Sequence, residues 1–201
     1  MPAPSTDLIT TSLSRGPVIP LRDMECRIVA LTSRRDVVAL WLWADADDKR
    51  RLASLAGAYP SNGSIDAIRL FDADTGAPLP IVGGGFAQDA FKGRSFSLAP
   101  VSHSGTDSWA PAPADPTTLP AVGVLQPIAL RLTAPPAASA IRVSIDTAQL
   151  AYLASDWGEQ SRGGKPATSA FDRSFILRRA ADPAHERPAD AIYAPESPAR
   201  P

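Results

Sequence analysis

Apolar and polar positions alternate with a period of two through most of this chain, which is the side-chain repeat of β-strands. The clearest case spans residues 65–82 (IDAIRLFDADTGAPLPIV). Ile68 and Leu70 flank Arg69 on the way in, and Leu79 and Ile81 stand two apart on the way out. Between them Asp72, Asp74 and Gly76 form a turn cluster. The Asp72 carboxylate is suited to accept from the amides that follow it, and Gly76 takes a positive φ without strain. The pattern predicts a β-hairpin. Pro78 and Pro80 cannot donate to a ladder, so the outgoing strand is expected at a sheet edge.

Residues 23–32 (DMECRIVALT) place Met24, Cys26, Ile28 and Ala30 on one face of a second strand. Residues 37–44 (VVALWLWA) are apolar on both faces, with Leu40 and Leu42 opposite Trp41 and Trp43. Such a strand is central or covered on both sides. The two runs are expected to pair. Residues 94–99 (RSFSLA) predict a short strand with Phe96 and Leu98 inward. Residues 128–133 (IALRLT) and 140–146 (AIRVSID) alternate cleanly, with Arg131, Arg142 and Ser144 toward water. Residues 170–179 (AFDRSFILRR) predict a last strand with Phe171, Phe175 and Leu177 inward.

Helical signals are few. Residues 45–57 (DADDKRRLASLAG) combine acids in the first turn, Leu52 three before Leu55, and a closing Gly57. Residues 147–157 carry Leu150, Leu153 and Trp157 on one stripe behind a capping Asp146 or Thr147, and are read as a short helix over a strand. The expectation is an all-β domain with one or two short helices, arranged as a two-sheet antiparallel β-sandwich of immunoglobulin-like architecture. The domain is placed at residues 22–179. Residues 1–21 are expected as a flexible leader that joins near Val18 and Ile19, and residues 180–201 as a disordered tail. Residues 100–127, with Pro111, Pro113, Pro116 and Pro120 around Trp109, are expected as a long irregular crossover.

Composition changes this picture little. Charged residues make up 20% of the chain, which is ordinary for a globular domain, but 21 prolines are about twice the average usage and weigh against a helical bundle. The net charge of −1 supplies no field to attract nucleic acid. Lysines number only three among 20 basic residues, a bias that points to a GC-rich bacterial genome. No run of eighteen apolar residues exists, so no membrane span is expected.

Candidate chemistry is sparse. Cys26 is the one cysteine and reads as a small core residue. Two histidines and one cysteine cannot build an ordinary zinc site. Asp72, Asp74 and Gly76 match half of a calcium loop but lack the later bidentate Glu. Ser102, His103 and Ser104 bring a nucleophile and a base together without an orienting third group or a G-x-S-x-G elbow. No phosphate-cradling or dinucleotide motif is present, and no cofactor is implied.

The function expected is therefore a non-enzymatic protein-binding module of a bacterial envelope. It would be of the immunity, secretion-accessory or assembly type, working through loops and an edge strand. The alternatives are a self-assembling structural subunit and a hydrolase built on Ser104 and His103 or on a carboxylate pair. The partner-contact residues expected are Trp109, Pro78, Pro80 and Trp157. The partner is another protein. The polar leader also fits a segment behind a lipid tether upstream of residue 1. The compartment expected is the periplasm or envelope, with the cytosol as the close alternative.

Overall fold

The computed structural model describes residues 4–13, 15–21, 24–45, 67–86, 96–97, 123–153, 164, 166, 170–181 and 190–196. The chain is all-β with short helices. In order these are α1 (Thr6–Leu13), β1 (Val18–Leu21), β2 (Met24–Arg34), β3 (Val37–Asp45), β4 (Ile68–Asp72), β5 (Pro78–Leu79) and β6 (Ile81–Phe86). They continue with β7 (Phe96–Ser97), β8 (Gly123–Leu132), β9 (Ala140–Ile145), α2 (Thr147–Leu153), β10 (Arg173–Ala180) and β11 (Asp190–Pro195). No helix among the described residues is long and apolar enough to cross a membrane.

All described strands join one hydrogen-bonded sheet, in the order β5-β4-β9-β10-β11-β2-β3-β8-β6, with β1 added on β2 and β7 on β8. Every described pairing is antiparallel. The two ends of this path, β5 and β6, are consecutive in the chain and separated only by Pro80. The Ala77 carbonyl accepts from the Asp72 amide at 2.8 Å, and the Pro80 carbonyl accepts from the Thr133 amide at 3.1 Å. One short segment thus bonds to β4 on one side and to the end of β8 on the other. The sheet curls into a nearly closed, barrel-like form, and the strands expected in two layers lie on one continuous ladder.

The interior is filled by alternate residues from every wall, among them Ile28, Leu40, Leu70, Ile128, Val143 and Leu177. Cys26 is buried there, as expected. A second apolar cluster lies on the outside of β2 and β3, where Val29, Ala30, Ala39, Trp41 and Trp43 pack under Ile9 and Leu13 of α1. The two-faced apolar pattern of β3 is explained by this cover. Trp41 donates its indole N–H to the Thr32 hydroxyl at 2.9 Å, which satisfies the buried donor.

Five expectations are corrected. Residues 1–21 contain α1 and β1 rather than only a leader, because the tryptophan face of β3 needs an apolar lid. Gly16 closes the turn between them, and a Cβ there would collide with the Ile28 carbonyl oxygen. Residues 190–195, expected in a disordered tail, form β11 inside the sheet between β10 and β2. Ala191, Ile192 and Tyr193 are buried, and the Tyr193 hydroxyl donates to the Ala138 carbonyl at 3.0 Å.

Ala30 lies on the outer face rather than with Cys26 and Ile28. A bulge between Ile28 and Ala30 adds one residue and reverses the alternation, so Leu31 turns inward instead. Residues 123–127, expected in the crossover, begin β8. Pro127 fits there because it lies at the join between β6 and β7, whose Phe86 and Phe96 pair with Ile128 and Leu125. Finally, Phe171 is half-buried under the Arg69 guanidinium rather than inward in the core.

The helix expected over 45–57 falls almost entirely on residues 46–66, outside the described residues. Residues 147–153 are helical, as expected. Asp146 caps them by accepting from the Gln149 amide at 3.0 Å.

Candidate functional site

The hairpin at the sheet end builds the first part of the site. The Asp72 carboxylate accepts from the amides of Asp74 at 2.9 Å and Thr75 at 3.0 Å, and Gly76 takes φ 75°. These bonds, the Thr75 amide above all, hold the Asp72 carboxyl below the usual carboxylate range. The half-match to a calcium loop thus carries the hydrogen bonds of a turn.

From this turn β5 returns along β4. Ala77 points its carbonyl to β4, so Leu79 shares that side and the backbone of Pro78 and Pro80 faces away. Neither proline removes a bond to β4. Both side chains are exposed, as is Val82 at 59%, while Leu79 and Ile81 pack on the core. Pro78 therefore lies exposed on β5 at one end of the strand order, and Pro80, also exposed, lies at the join between the two ends.

Register extends this edge across the sheet. Pro78 is opposite Phe71, Phe71 is opposite Arg142, and Arg142 is opposite Ile176. All four side chains share the outer face, because side chains directly opposite each other in a ladder point the same way. Ile176 is 39% exposed and Phe71 is partly exposed. The neighbouring row runs Arg69, Ser144, Ser174, with the two serine hydroxyls 3.2 Å apart. The Arg142 guanidinium lies over the Phe71 ring, 4.5 Å from its centroid, and that of Arg69 lies over Phe171 at 3.9 Å. The result is a wall of arginine, aromatic and aliphatic side chains on β5, β4, β9 and β10.

The sheet end beside this wall is tied by side-chain hydrogen bonds. Asp146 is buried, and its second oxygen accepts from the Ala170 amide at 2.7 Å. Gln149 donates to the Pro166 carbonyl at 3.2 Å. Asp172 accepts from the amide and hydroxyl of Thr147 at 2.9 and 2.7 Å. Partial burial works to raise the Asp172 carboxyl, but those two bonds prevail and hold it below its ordinary range.

Of the four contact residues expected from sequence, Pro78 and Pro80 come together with this wall. Trp109 and Trp157 lie outside the described residues, as do Ser102, His103 and Ser104. Phe71, Ile176, Arg69 and Phe171 were not singled out from sequence as surface contacts. Among the described residues, no three His, Cys, Asp or Glu side chains gather as metal ligands. No protein-family model matches the chain, and neither does any curated protein or solved structure.

Proposed function

We propose that this chain is a non-enzymatic protein-binding module of a bacterial envelope, docking its partner on the outer face of β5, β4, β9 and β10. The observation that supports this reading is the cross-strand row Pro78, Phe71, Arg142 and Ile176, in which apolar groups lie open on an outer sheet face. The inner face already supplies the core, so folding has no need of aromatic or aliphatic groups here. Aromatic residues and arginine are also the residue types that carry most energy at protein interfaces.

Contact is made by side chains rather than by an added strand. Pro78 offers no donor on the side away from β4, and at Pro80 that side already bonds to Thr133, so strand addition is disfavoured there. Trp109 and Trp157 are further contact candidates in the same reading.

The test is a tagged pull-down from the native organism with the full chain and its Ile176→Glu variant. A stoichiometric protein retained by the first and lost by the second, with unchanged circular dichroism, supports the docking face. Equal retention by both removes the face from the proposal. Retention of only further copies of the chain replaces it with the structural-subunit alternative. Trp109→Ala in the same assay reports on the crossover segment, and unchanged retention excludes it.

A further inference from the structure

We infer that the docking face selects an extended acidic segment of its partner, one with carboxylates at alternate positions, through Arg69 and Arg142. This rests on the protein-binding reading above and adds the chemistry of what is bound.

Charge pairing on the wall singles these two out. Arg178, on the same outer face as Ile176, has Glu196 at 2.8 Å. Arg69 and Arg142 are exposed, and their contacts among the described residues are the rings of Phe171 and Phe71, with no carboxylate in ion-pair range. A guanidinium stacked on a ring keeps its in-plane N–H donors free at the edge. The ring also limits the rotamers it must give up on binding a carboxylate. The two forks are therefore positioned in advance and have no carboxylate partner among the described residues.

Their spacing selects the shape of the anion. Arg69 is opposite Ser144, and Arg142 stands two residues from Ser144 on the same strand, so the arginines are diagonal neighbours. Such neighbours stand about 7–8 Å apart, with their Cβ atoms somewhat closer. Same-side residues of an extended peptide repeat at about 6.6–6.8 Å. Two acids separated by one residue thus match the spacing of the two arginine positions along the face. Flanking apolar side chains of the same segment meet Phe71, Pro78 and Ile176.

A protein segment is favoured over a polyanion. The chain carries a net charge of −1, and Glu196, Asp172 and Asp74 rim the wall. Those carboxylates repel the dense charge of nucleic acid or an anionic membrane, while two local pairs tolerate them.

The experiment titrates the full-length isotope-labelled protein with a short capped peptide of alternating glutamate and leucine. Its glutamine counterpart, a DNA duplex and phosphatidylserine vesicles are run alongside. Saturable shifts of the Arg69 and Arg142 side-chain N–H resonances with the glutamate peptide alone are expected. Binding should weaken with salt and fall about tenfold in the Arg69→Gln, Arg142→Gln double variant. Arg69→Lys, which keeps the charge and loses the fork, should lie between.

No saturable shift, equal binding of the glutamine peptide, or preference for DNA or vesicles overturns the inference. So does an unchanged affinity in the double variant. Its failure is separable from that of the docking reading. A partner lost by Ile176→Glu but retained by the arginine double variant leaves docking intact and removes the acidic-segment selection.

Discussion

Truncating Ile9 tests the reassignment of the N-terminal segment from leader to structural lid. Ile9 is 1% exposed and packs with Leu13 against Trp41 and Trp43. Ile9→Ala removes a nearly fully buried branched side chain, a change that costs about 2–5 kcal/mol in protein cores. Two features move this site to the lower half of that range. The helix lies on the outside of the sheet and can settle into part of the gap, and Ala is the better helix former by a few tenths of a kcal/mol. The expected loss is about 2–3 kcal/mol, which for a chain of this length lowers the melting temperature by roughly 5–10 °C. Urea unfolding followed by near-ultraviolet circular dichroism reads it directly, because two tryptophans lie beneath the helix. Trp41→Phe in the Ile9→Ala background should be non-additive, since both belong to one cluster. A loss below about 1 kcal/mol would refute the lid, because an unpacked helix loses nothing when its apolar side chain is shortened.

Two further outcomes follow from the barrel end and the hairpin. Asp146→Ala removes the cap of α2 and leaves the Ala170 amide without its acceptor, at about 2–4 kcal/mol in urea unfolding; Asp146→Asn, which keeps one acceptor oxygen, should lose less, and equal small losses would show the cap to be dispensable. Asp72 and Asp172 are both held below the ordinary carboxylate range, so their contribution is fully present above an unfolded-state pKa of about 4 and is lost as pH falls through the lowered folded values. The urea midpoint should therefore decline on acidification below about pH 4, and Asp72→Asn with Asp172→Asn should flatten that decline; an unaltered acid slope in the double variant would remove both groups as its source.

The elements legible in the sequence carry their whole signal within a few residues. The β2–β3 hairpin, the Asp72 turn, the alternation of β9 and the Asp146 cap depend on neighbours along the chain. The elements that were missed depend on partners far away. In β11, Ala191, Ile192 and Tyr193 are a short apolar group among charges and prolines, and they become a strand only between β10 and β2. The contact of the Ser33 hydroxyl with the Ala191 carbonyl at 3.5 Å spans 158 positions. The helix α1 has the same character, because Ile9 and Leu13 acquire meaning only from the tryptophans they cover. The bulge at Ile28/Ala30 leaves no mark in composition, yet it moves Ala30 to the outer face and turns Leu31 inward. Half of the candidate site was visible for a local reason, since a proline announces an edge by the donor it lacks. The other half follows from register. Nothing near Phe71 in the sequence states that Arg142 will be opposite it, or that Ile176 will be opposite Arg142.

The link between closure of the sheet and exposure of the wall lies in residues 77–82. Ala77 and Leu79 must face β4 for the path to end there, and Pro80 must turn its carbonyl to Thr133 for the other end to begin. That alternation places Leu79 and Ile81 against the core and leaves Pro78, Pro80 and Val82 outside. A closure built only for stability would be served as well by polar residues at the outward positions, which face water and add nothing to the interior. Threonine or serine there would keep the strand geometry with less apolar exposure. The same holds for Phe71 and Ile176, whose inward neighbours Leu70 and Leu177 already complete the wall of the core. Closure thus accounts for the backbone and the inward residues, and the proposed docking is the use that we assign to the outward apolar row.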